Sequence, residues 1–358
     1  MSEQDGIVRP APRRPAIKIG LGAALVVLPL GAFGAYKHLE DAGERKDRGF
    51  EKGFTYDTTP VRQVDPLLIR YRELATIETG LESPRAIAVD PRTGDLLVAG
   101  HGLVRRLSPA GARLGDIAVS GEPFCLASGF DGRVFVGLKD HVEVYSAGAV
   151  AKLVESWKSF GLGSYLTCIA VAEDGVYVAD AGRRVVYRCS PDGRVLVEIG
   201  RADKDLGIPG FIVPSPHLDV AIGSDGLVWV GNPGMHRLEA YTADGRLERY
   251  WGTVGTAVNE FFGCCNPTDF AMLSDGSFIT SEKGIARIKR YDADGRFDCV
   301  VAAPQSFGGN VTGLDVATTA EGHVLVLERG TRAVRVFAPD DARAAGDRLQ
   351  GEKGAGGS

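Results

Sequence analysis

An adjacent pair of cysteines, Cys264 and Cys265, is the most unusual chemical feature of this 358-residue sequence. Side chains of neighbouring residues on an extended segment point in opposite directions, so packing rarely requires two cysteines in a row. Three interpretations are open: a strained vicinal disulfide, a pair of metal thiolates, or one buried cysteine beside an exposed one. A disulfide between adjacent residues closes a small ring and is easily reduced. The pair therefore favours redox chemistry or ligand binding over a purely structural role.

The pair lies within a sequence pattern that occurs six times. Each copy has a short apolar run, an Asp-Gly-like turn and further β-rich runs. The copies begin with SPRAIAVD at Ser83, EPFCLASG at Glu122, YLTCIAVA at Tyr165, SPHLDVAI at Ser215, NPTDFAML at Asn266 and NVTGLDVA at Asn310. Successive copies are 39 to 51 residues apart, which is typical of propeller blades with four strands each. The pattern predicts an all-β, six-bladed β-propeller over residues 65–340.

The two ends of this region are expected to meet. The last repeat ends near Phe337 with no clear fourth strand of its own. We expect residues 65–79, DPLLIRYRELATIET, to supply that strand, because pairing the chain ends removes a free sheet edge. An N-terminal linker helix is the alternative for this segment. Residues 341–358 are predicted to be a disordered tail.

Alignment of the repeats brings reactive side chains to one end of the propeller channel. One aligned position holds Ala86, Cys125, Cys168, Leu218, Asp269 and Gly313. His217 directly precedes this position in the fourth repeat, and Cys264-Cys265 lies just ahead of the fifth. Inner strands surround the propeller axis. We therefore expect the two ring cysteines, His217 and the adjacent pair to face one shared space at the channel mouth.

Such a set of side chains predicts a metal site. Thiolate, imidazole and carboxylate groups that converge on one cavity bind soft or borderline ions such as copper or zinc. The predicted ligands are Cys125, Cys168, His217, Cys264, Cys265 and Asp269. In the structural alternative, the ring cysteines are small apolar core residues and His217 only hydrogen-bonds a loop. Cys189 and Cys299 fall on third and fourth strands of different repeats, where structural roles are expected.

Loops on the same face carry a second group of polar residues. These channel-mouth loop residues are Asp180, Arg183, Asn232, Glu282, Lys283 and Glu328. Either they contribute to ligand binding at the mouth, or they brace their own loops by hydrogen-bonding backbone amides, as Asx residues do in turns.

The repeats resemble NHL repeats. The run VYVADAGRRVVYRCSPDGRVLVEIG, residues 176–200, is similar to the typical text of that family, and two other repeats carry Asn232 and Glu282 in place of Asp180. The phrase GCCNPTDFAMLSDGSFITSEKG also resembles a group of bacterial membrane-anchored NHL proteins. The resemblance covers about residues 80–340 and implies a six-bladed propeller. It leaves the function open, because NHL propellers include binding modules and a few enzymes.

The N-terminal segment predicts a membrane anchor. Residues 19–35, IGLGAALVVLPLGAFGA, form an uncharged run near the lower limit for a membrane-spanning helix. Basic residues precede it, which places residues 1–18 in the cytoplasm as a basic tail. Residues 36–64 are then a linker, and the propeller lies in the periplasm or at the cell surface, tethered to a bacterial inner membrane by a single pass. A cleaved signal peptide is the competing interpretation, although no A-x-A site follows.

These observations favour a membrane-tethered scaffold that binds a small ligand, a metal or a protein at a Cys/His site. The net charge of −5 and the lack of a basic stripe argue against a nucleic-acid partner. Whether the protein is an enzyme stays open. A metal-dependent lyase or lactonase is one alternative, although His217 is the only histidine at the predicted starts of the inner strands. A thiol redox partner that uses Cys264-Cys265 is the other.

Overall fold

The structure, a computed structural model, describes residues 59–340 except 147, 149, 206, 207, 309, 310 and 312. The predicted basic tail, the membrane anchor, most of the linker and the C-terminal tail lie outside the described residues. Within the described part, no helix is long and apolar enough to cross a membrane. A short helix, α1 (Thr59–Arg62), and a 3-10 turn (Pro66–Leu68) precede the first strand.

The described residues form 24 strands in six four-stranded sheets, so the predicted six-bladed, all-β propeller is confirmed. The first strand is β1 (Tyr71–Glu78). Blade 1 contains β2 (Pro84–Val89), β3 (Leu96–Gly100), β4 (Leu103–Leu107) and β5 (Arg113–Ala118). Blade 2 contains β6 (Cys125–Ser128), β7 (Val134–Gly137), β8 (Val142–Tyr145) and β9 (Leu153–Ser156). Blade 3 contains β10 (Leu166–Ala172), β11 (Gly175–Asp180), β12 (Val185–Cys189) and β13 (Val195–Ile199).

The second half of the chain repeats this order with longer loops. Blade 4 contains β14 (Asp219–Ile222), β15 (Val228–Asn232), β16 (Arg237–Tyr241) and β17 (Leu247–Trp251). Blade 5 contains β18 (Asp269–Met272), β19 (Phe278–Glu282), β20 (Arg287–Tyr291) and β21 (Phe297–Ala302). Blade 6 contains β22 (Leu314–Thr318), β23 (Val324–Glu328) and β24 (Ala333–Pro339). Short 3-10 turns at Pro233–Met235 and Pro304–Ser306 lie between strands.

Blade 6 takes its outer strand from the N-terminal end of the propeller. β1 pairs antiparallel with β24 from Tyr71 opposite Pro339 to Glu78 opposite Ala333. This strand lies within the segment for which we predicted a closing role. The inner strand of each blade contacts the inner strand of the next blade, and β22 contacts β2. The ring is therefore closed through both its inner strands and its chain ends.

Apolar packing lies between the blades. Within the described residues there are six clusters of buried side chains, one for each pair of neighbouring blades. The second strand of every blade is buried along its whole length, because a blade on either side covers its two faces. This explains why these strands have continuous apolar runs rather than alternating ones.

Antiparallel pairing determines where polar groups meet. In blade 3, Cys168 near the start of β10 pairs with Ala179 near the end of β11. The same pairing in each blade brings the start of the inner strand and the loop after the second strand to one face. That face is the channel mouth, and Cys264-Cys265 lies in the segment that enters the fifth inner strand there.

Candidate functional site at the channel mouth

Six equivalent positions on the inner strands form a ring around the channel. Five of them pair with the penultimate residue of the second strand of their blade, and Cys125 pairs with the last residue, Gly137. The ring residues are Ala86, Cys125, Cys168, Asp219, Asp269 and Asp315. Three carboxyl groups therefore occupy one half of the ring, and an alanine and two cysteines occupy the other.

The repeat alignment was wrong at two of these positions. It placed Leu218 and Gly313 in the ring, but Asp219 and Asp315 stand there. The segment that leads into the inner strand is one residue longer in blade 4 and two residues longer in blade 6. Leu218 is instead buried in the core between blades 3 and 4, and Gly313 forms a turn with φ +75° before β22.

The ring carboxylates connect neighbouring blades. Each accepts a hydrogen bond from the backbone amide that follows the ring position of the next blade. These bonds run from Phe270 N to Asp219 at 2.6 Å, from Val316 N to Asp269 at 2.9 Å and from Ile87 N to Asp315 at 2.8 Å. Burial raises the pKa of Asp219 to about 7 and also raises the pKa values of Asp269 and Asp315. The three hydrogen bonds join blade 4 to blade 5, blade 5 to blade 6 and blade 6 to blade 1.

Burial also affects the thiols of the two ring cysteines, Cys125 and Cys168. Cys125 is 3% exposed, and Cys168 Sγ lies 3.4 Å from the carbonyl oxygen of Val220 in the next blade. Burial, and then the nearby carboxyl groups, raise the pKa of both thiols. They occupy the position that Ala86 occupies in blade 1. This arrangement agrees with the structural alternative for these two cysteines.

Two cavities lie at the mouth on the outer side of the ring. The first, which we call the mouth cavity, has a volume of about 200 Å³. It is lined by Arg85, Phe124, Tyr165, His217 and Arg329 above the ring carboxyl groups. The second, which we call the side cavity, has a volume of about 470 Å³. Its lining includes Cys264, Phe262, Lys283, Ala286 and Val311. His217 lines both cavities, so they adjoin.

The adjacent cysteines differ sharply in their surroundings. Cys264 is exposed at the wall of the side cavity, whereas Cys265 is only 1% exposed. Both are thiols, and their sulfur atoms lie 3.1 Å apart. Of the three interpretations of this pair, the structure therefore has one buried cysteine beside an exposed one, with the two sulfurs in contact.

A short hydrogen-bond relay reaches the buried sulfur. Lys283 Nζ donates to Ser215 Oγ at 2.7 Å, and Ser215 Oγ donates to Cys265 Sγ at 3.4 Å. Because the hydroxyl oxygen accepts from the ammonium group, its single proton is directed at the sulfur. Asn266 holds Lys283 in place, since its side chain accepts from Lys283 N at 2.9 Å and donates to Lys283 O at 3.1 Å. We call Cys264, Cys265, Ser215 and Lys283 the dithiol site.

The relay favours a negative charge on one sulfur. Burial alone would raise the pKa of Cys265, but hydrogen bonds from Lys283, Ser215 and Cys264 outweigh it and lower that pKa. The hydrogen bond to Cys265, together with burial, raises the pKa of Cys264. When the pair loses its first proton, the two opposite shifts favour the negative charge on Cys265 and the remaining proton on Cys264.

His217 contributes a neutral imidazole to this face. Burial and the charges of Lys283 and Arg329 lower its pKa to about 4. At neutral pH it is therefore uncharged. The positive charges that act on His217 are those of Lys283 and Arg329.

The six predicted metal ligands do not line a single cavity. Cys125, Cys168 and Asp269 line a channel cavity of about 360 Å³ that shares the ring carboxyl groups with the mouth cavity. His217 and Cys264 share the side cavity, Cys265 lies buried beside it, and Asp269 belongs to the ring. Among the described residues, no three His, Cys, Asp or Glu side chains are grouped so that they could hold a metal ion.

The channel-mouth loop residues mostly brace the backbone. Asp180 accepts from Tyr165 N and Arg183 N, Asn232 accepts from Ile212 N, and Glu282 accepts from Phe262 N. The side chains of Asp180, Asn232, Glu282 and Glu328 are buried in their own blades. Arg183 contacts Tyr187 and lines neither mouth cavity. Only Lys283 reaches the dithiol site.

Sequence reasoning did not assign roles to Ser215 and Arg329. Ser215 precedes a proline at the start of a repeat, where a turn role is the ordinary expectation. Arg329 follows Glu328 as Lys283 follows Glu282, at corresponding loop positions of neighbouring blades. This repeated pair of an acidic and then a basic residue could have indicated that Arg329, like Lys283, lies at the channel mouth.

Comparisons with known proteins support the fold alone. No family model and no curated protein matches this chain. A structural-genomics protein of unknown function from Bacteroides thetaiotaomicron VPI-5482 is 15% identical, with a TM-score of 0.54 over 75% of this chain and 72% of that chain. A streptogramin B lyase is 11% identical, with a TM-score of 0.52 over 77% and 100%. The WD40 propeller domain of Doa1 is 13% identical, with a TM-score of 0.52 over 73% and 80%.

Proposed function

We propose that this protein is a ligand-binding propeller whose dithiol site carries out thiol–disulfide exchange at the channel mouth. The observation that supports this most directly is the contact between the two sulfurs, 3.1 Å apart, with the relay from Lys283 through Ser215 to Cys265. A thiolate is the reactive form of cysteine, and a neighbouring lysine is one of the known ways to stabilise it. The propeller supplies the strands whose connecting segments hold these groups.

The exposed sulfur makes the first attack. The buried Cys265 thiolate takes the proton from Cys264, whose thiolate then attacks a disulfide of the form RS–SR. One sulfur–sulfur bond breaks, a new bond forms between Cys264 and one RS group, and RS⁻ leaves. Lys283 stabilises the negative charge throughout this step.

The buried sulfur completes the exchange. Cys265 gives its proton to the released RS⁻, and its thiolate attacks Cys264 Sγ. The mixed disulfide breaks, a second RS⁻ leaves, and a vicinal disulfide forms. The two cysteines lose two electrons, and the ligand disulfide gains them. Because the eight-membered ring is strained, the product is an easily reduced disulfide, and an added small dithiol would return the pair to two thiols while itself becoming a disulfide.

A membrane tether fits this function. The proposal includes anchoring by residues 19–35 in a bacterial inner membrane, with the propeller on the oxidising side, where disulfides persist. An uncharged run of 17 residues after basic residues supports it. Full-length protein should stay with membranes after a high-salt wash, and Val26→Arg should release it. Release of the unaltered protein by salt alone would contradict anchoring.

The exchange can be tested with the aromatic disulfide dithiodipyridine. Reduced full-length protein should release two thiopyridone groups from the pair and end as a vicinal disulfide, seen by intact mass after peptide mapping. Cys265→Ser should release one and keep the adduct on Cys264. Cys125→Ala is the matched control, because blade 1 has Ala86 at the equivalent position. A stable adduct on Cys264 in the unaltered protein would contradict the proposal.

A further inference from the structure

Two cations border the side cavity, and one of them, Arg329, also faces the ring carboxyl group of Asp315 across the mouth cavity and acts on its pKa. Lys283 lines the cavity, and Arg329 lines the adjoining mouth cavity. The glutamates that precede them are already used within their own blades, since Glu282 pairs with Arg287 at 2.6 Å and Glu328 lies 3.8 Å from Arg335. No carboxylate of the described residues lies within ion-pair distance of Lys283 or Arg329.

The two cations converge on the ligand space. Both act on His217, which lines the two cavities. Arg329 also lies over Gly313 of the side cavity, where a Cβ atom would be 3.3 Å from Arg329 Nη1. Positive charge therefore borders the space in front of Cys264 from two neighbouring blades.

The shape of the space limits the size of the ligand. The side cavity, at about 470 Å³, falls within the range of small-molecule sites, roughly 300–1,000 Å³. Phe262, Ala286 and Val311 make one wall apolar. Arg85 lines the mouth cavity too, but Glu122 pairs with it at 2.7 Å. A ligand with a short apolar body and an anionic end fits these walls.

Resting on the exchange function above, we infer that the ligand is a small disulfide that carries carboxylate groups. Its sulfurs would lie against Cys264, and a carboxylate would lie between Lys283 and Arg329. A guanidinium group binds carboxylates through paired, planar hydrogen bonds, which gives Arg329 the larger part in recognition. Lys283 has the additional task of stabilising the thiolates, so it is a less specific probe of recognition.

The inference can be tested with three disulfides that differ in charge. Dithiodipropionate is anionic, bis(hydroxyethyl) disulfide is neutral and cystamine is cationic. Rates of vicinal-disulfide formation in reduced full-length protein should fall in that order, by about tenfold from the anionic to the neutral compound at low salt. High salt should reduce the difference, because it screens charges at the surface.

Single substitutions separate recognition from chemistry. Arg329→Met should bring the ratio of the dithiodipropionate rate to the neutral-disulfide rate down to about one, because it removes the guanidinium group that would bind the carboxylate. Arg183→Met is the matched control, because Arg183 lies on a corresponding loop and lines neither mouth cavity. It should leave all three rates as they are.

The two proposals fail in different ways. Equal rates for the three disulfides, or a preference that survives Arg329→Met, would overturn the inference about ligand charge and leave the exchange function standing. A pair that even dithiodipyridine does not convert to a vicinal disulfide would contradict the exchange function itself.

Discussion

Two pairs of thiols belong to the same end of this propeller, and their neighbours make them chemically different. Cys125 and Cys168 are enclosed in the channel ring, where burial and nearby carboxyl groups raise their pKa values. Cys264 and Cys265 lie on the segment that enters blade 5, and the latter is hydrogen-bonded to Ser215 beside Lys283. The surroundings of the first pair favour neutral thiols, and those of the second favour a negative charge on Cys265.

The difference shows that residue type alone does not identify a reactive cysteine. Desolvation penalises the charged form of every buried thiol. At Cys265 a cation and two donors outweigh that penalty, whereas at Cys125 the nearest charged groups are carboxyl groups, which add to it. Reactivity therefore follows the position of Lys283, and the ring cysteines serve as small packing residues.

The largest expected effect is a contrast in alkylation. Native protein treated with iodoacetamide at neutral pH should be modified at Cys264 at least about a hundredfold faster than at Cys125 or Cys168. Cys264 is exposed and can pass its proton to the adjacent Cys265 sulfur, whereas burial keeps the ring thiols protonated. Peptide mapping over time measures the three rates. The comparison between the two pairs breaks down if a ring cysteine reacts as fast as Cys264.

A smaller effect is expected from removal of the cation. Lys283→Met should raise the pKa of Cys265, which accepts the proton of Cys264. The pH profile of Cys264 alkylation should therefore shift upward by about one unit, which is about a tenfold loss of rate at neutral pH. Lys158→Met, at an exposed lysine that lines neither mouth cavity, is the control. An unchanged profile in Lys283→Met would show that another group stabilises the thiolate.

The ring makes a prediction about stability. The pKa of Asp219 rises from 3.8 to about 7 on folding, so the folded state keeps a proton that the unfolded state has lost between these values. Stability should therefore fall as the pH rises through this window. Asp219→Asn should flatten the decline in melting temperature, and exposed Asp205→Asn should not. An equal slope in Asp219→Asn would show that this carboxyl is ionised throughout.

The fold could be predicted from the sequence because its period is repeated six times. The four-strand unit and the role of residues 65–79 both follow from counting turns and apolar runs. The residues of the ring were harder to predict. The segments that lead to Asp219 and Asp315 are one and two residues longer than the corresponding segments of the other repeats. Pairing with the second strand fixes these positions, and spacing from the start of the repeat does not.

Only part of the dithiol site could be predicted from the sequence. The adjacent cysteines stood out, but Ser215 and Lys283 are 68 residues apart and belong to different blades. Their contact depends on how blade 4 packs against blade 5, which no local pattern encodes. The polar residues at the ends of the second strands stayed ambiguous in the sequence, because bracing a loop and binding a ligand require the same residue types.

Thiolate absorbance in the ultraviolet, titrated against pH, tests the central claim most directly. In the reduced full-length protein, one thiolate should appear below the ordinary range of cysteine pKa values, about 8.5, and Cys265→Ser should abolish that early step. Cys125→Ala should leave it intact. If no thiolate forms until the ordinary range or above, or if the early step survives Cys265→Ser, then Lys283 and Ser215 do not stabilise a charge on Cys265 and the proposed dithiol chemistry is wrong.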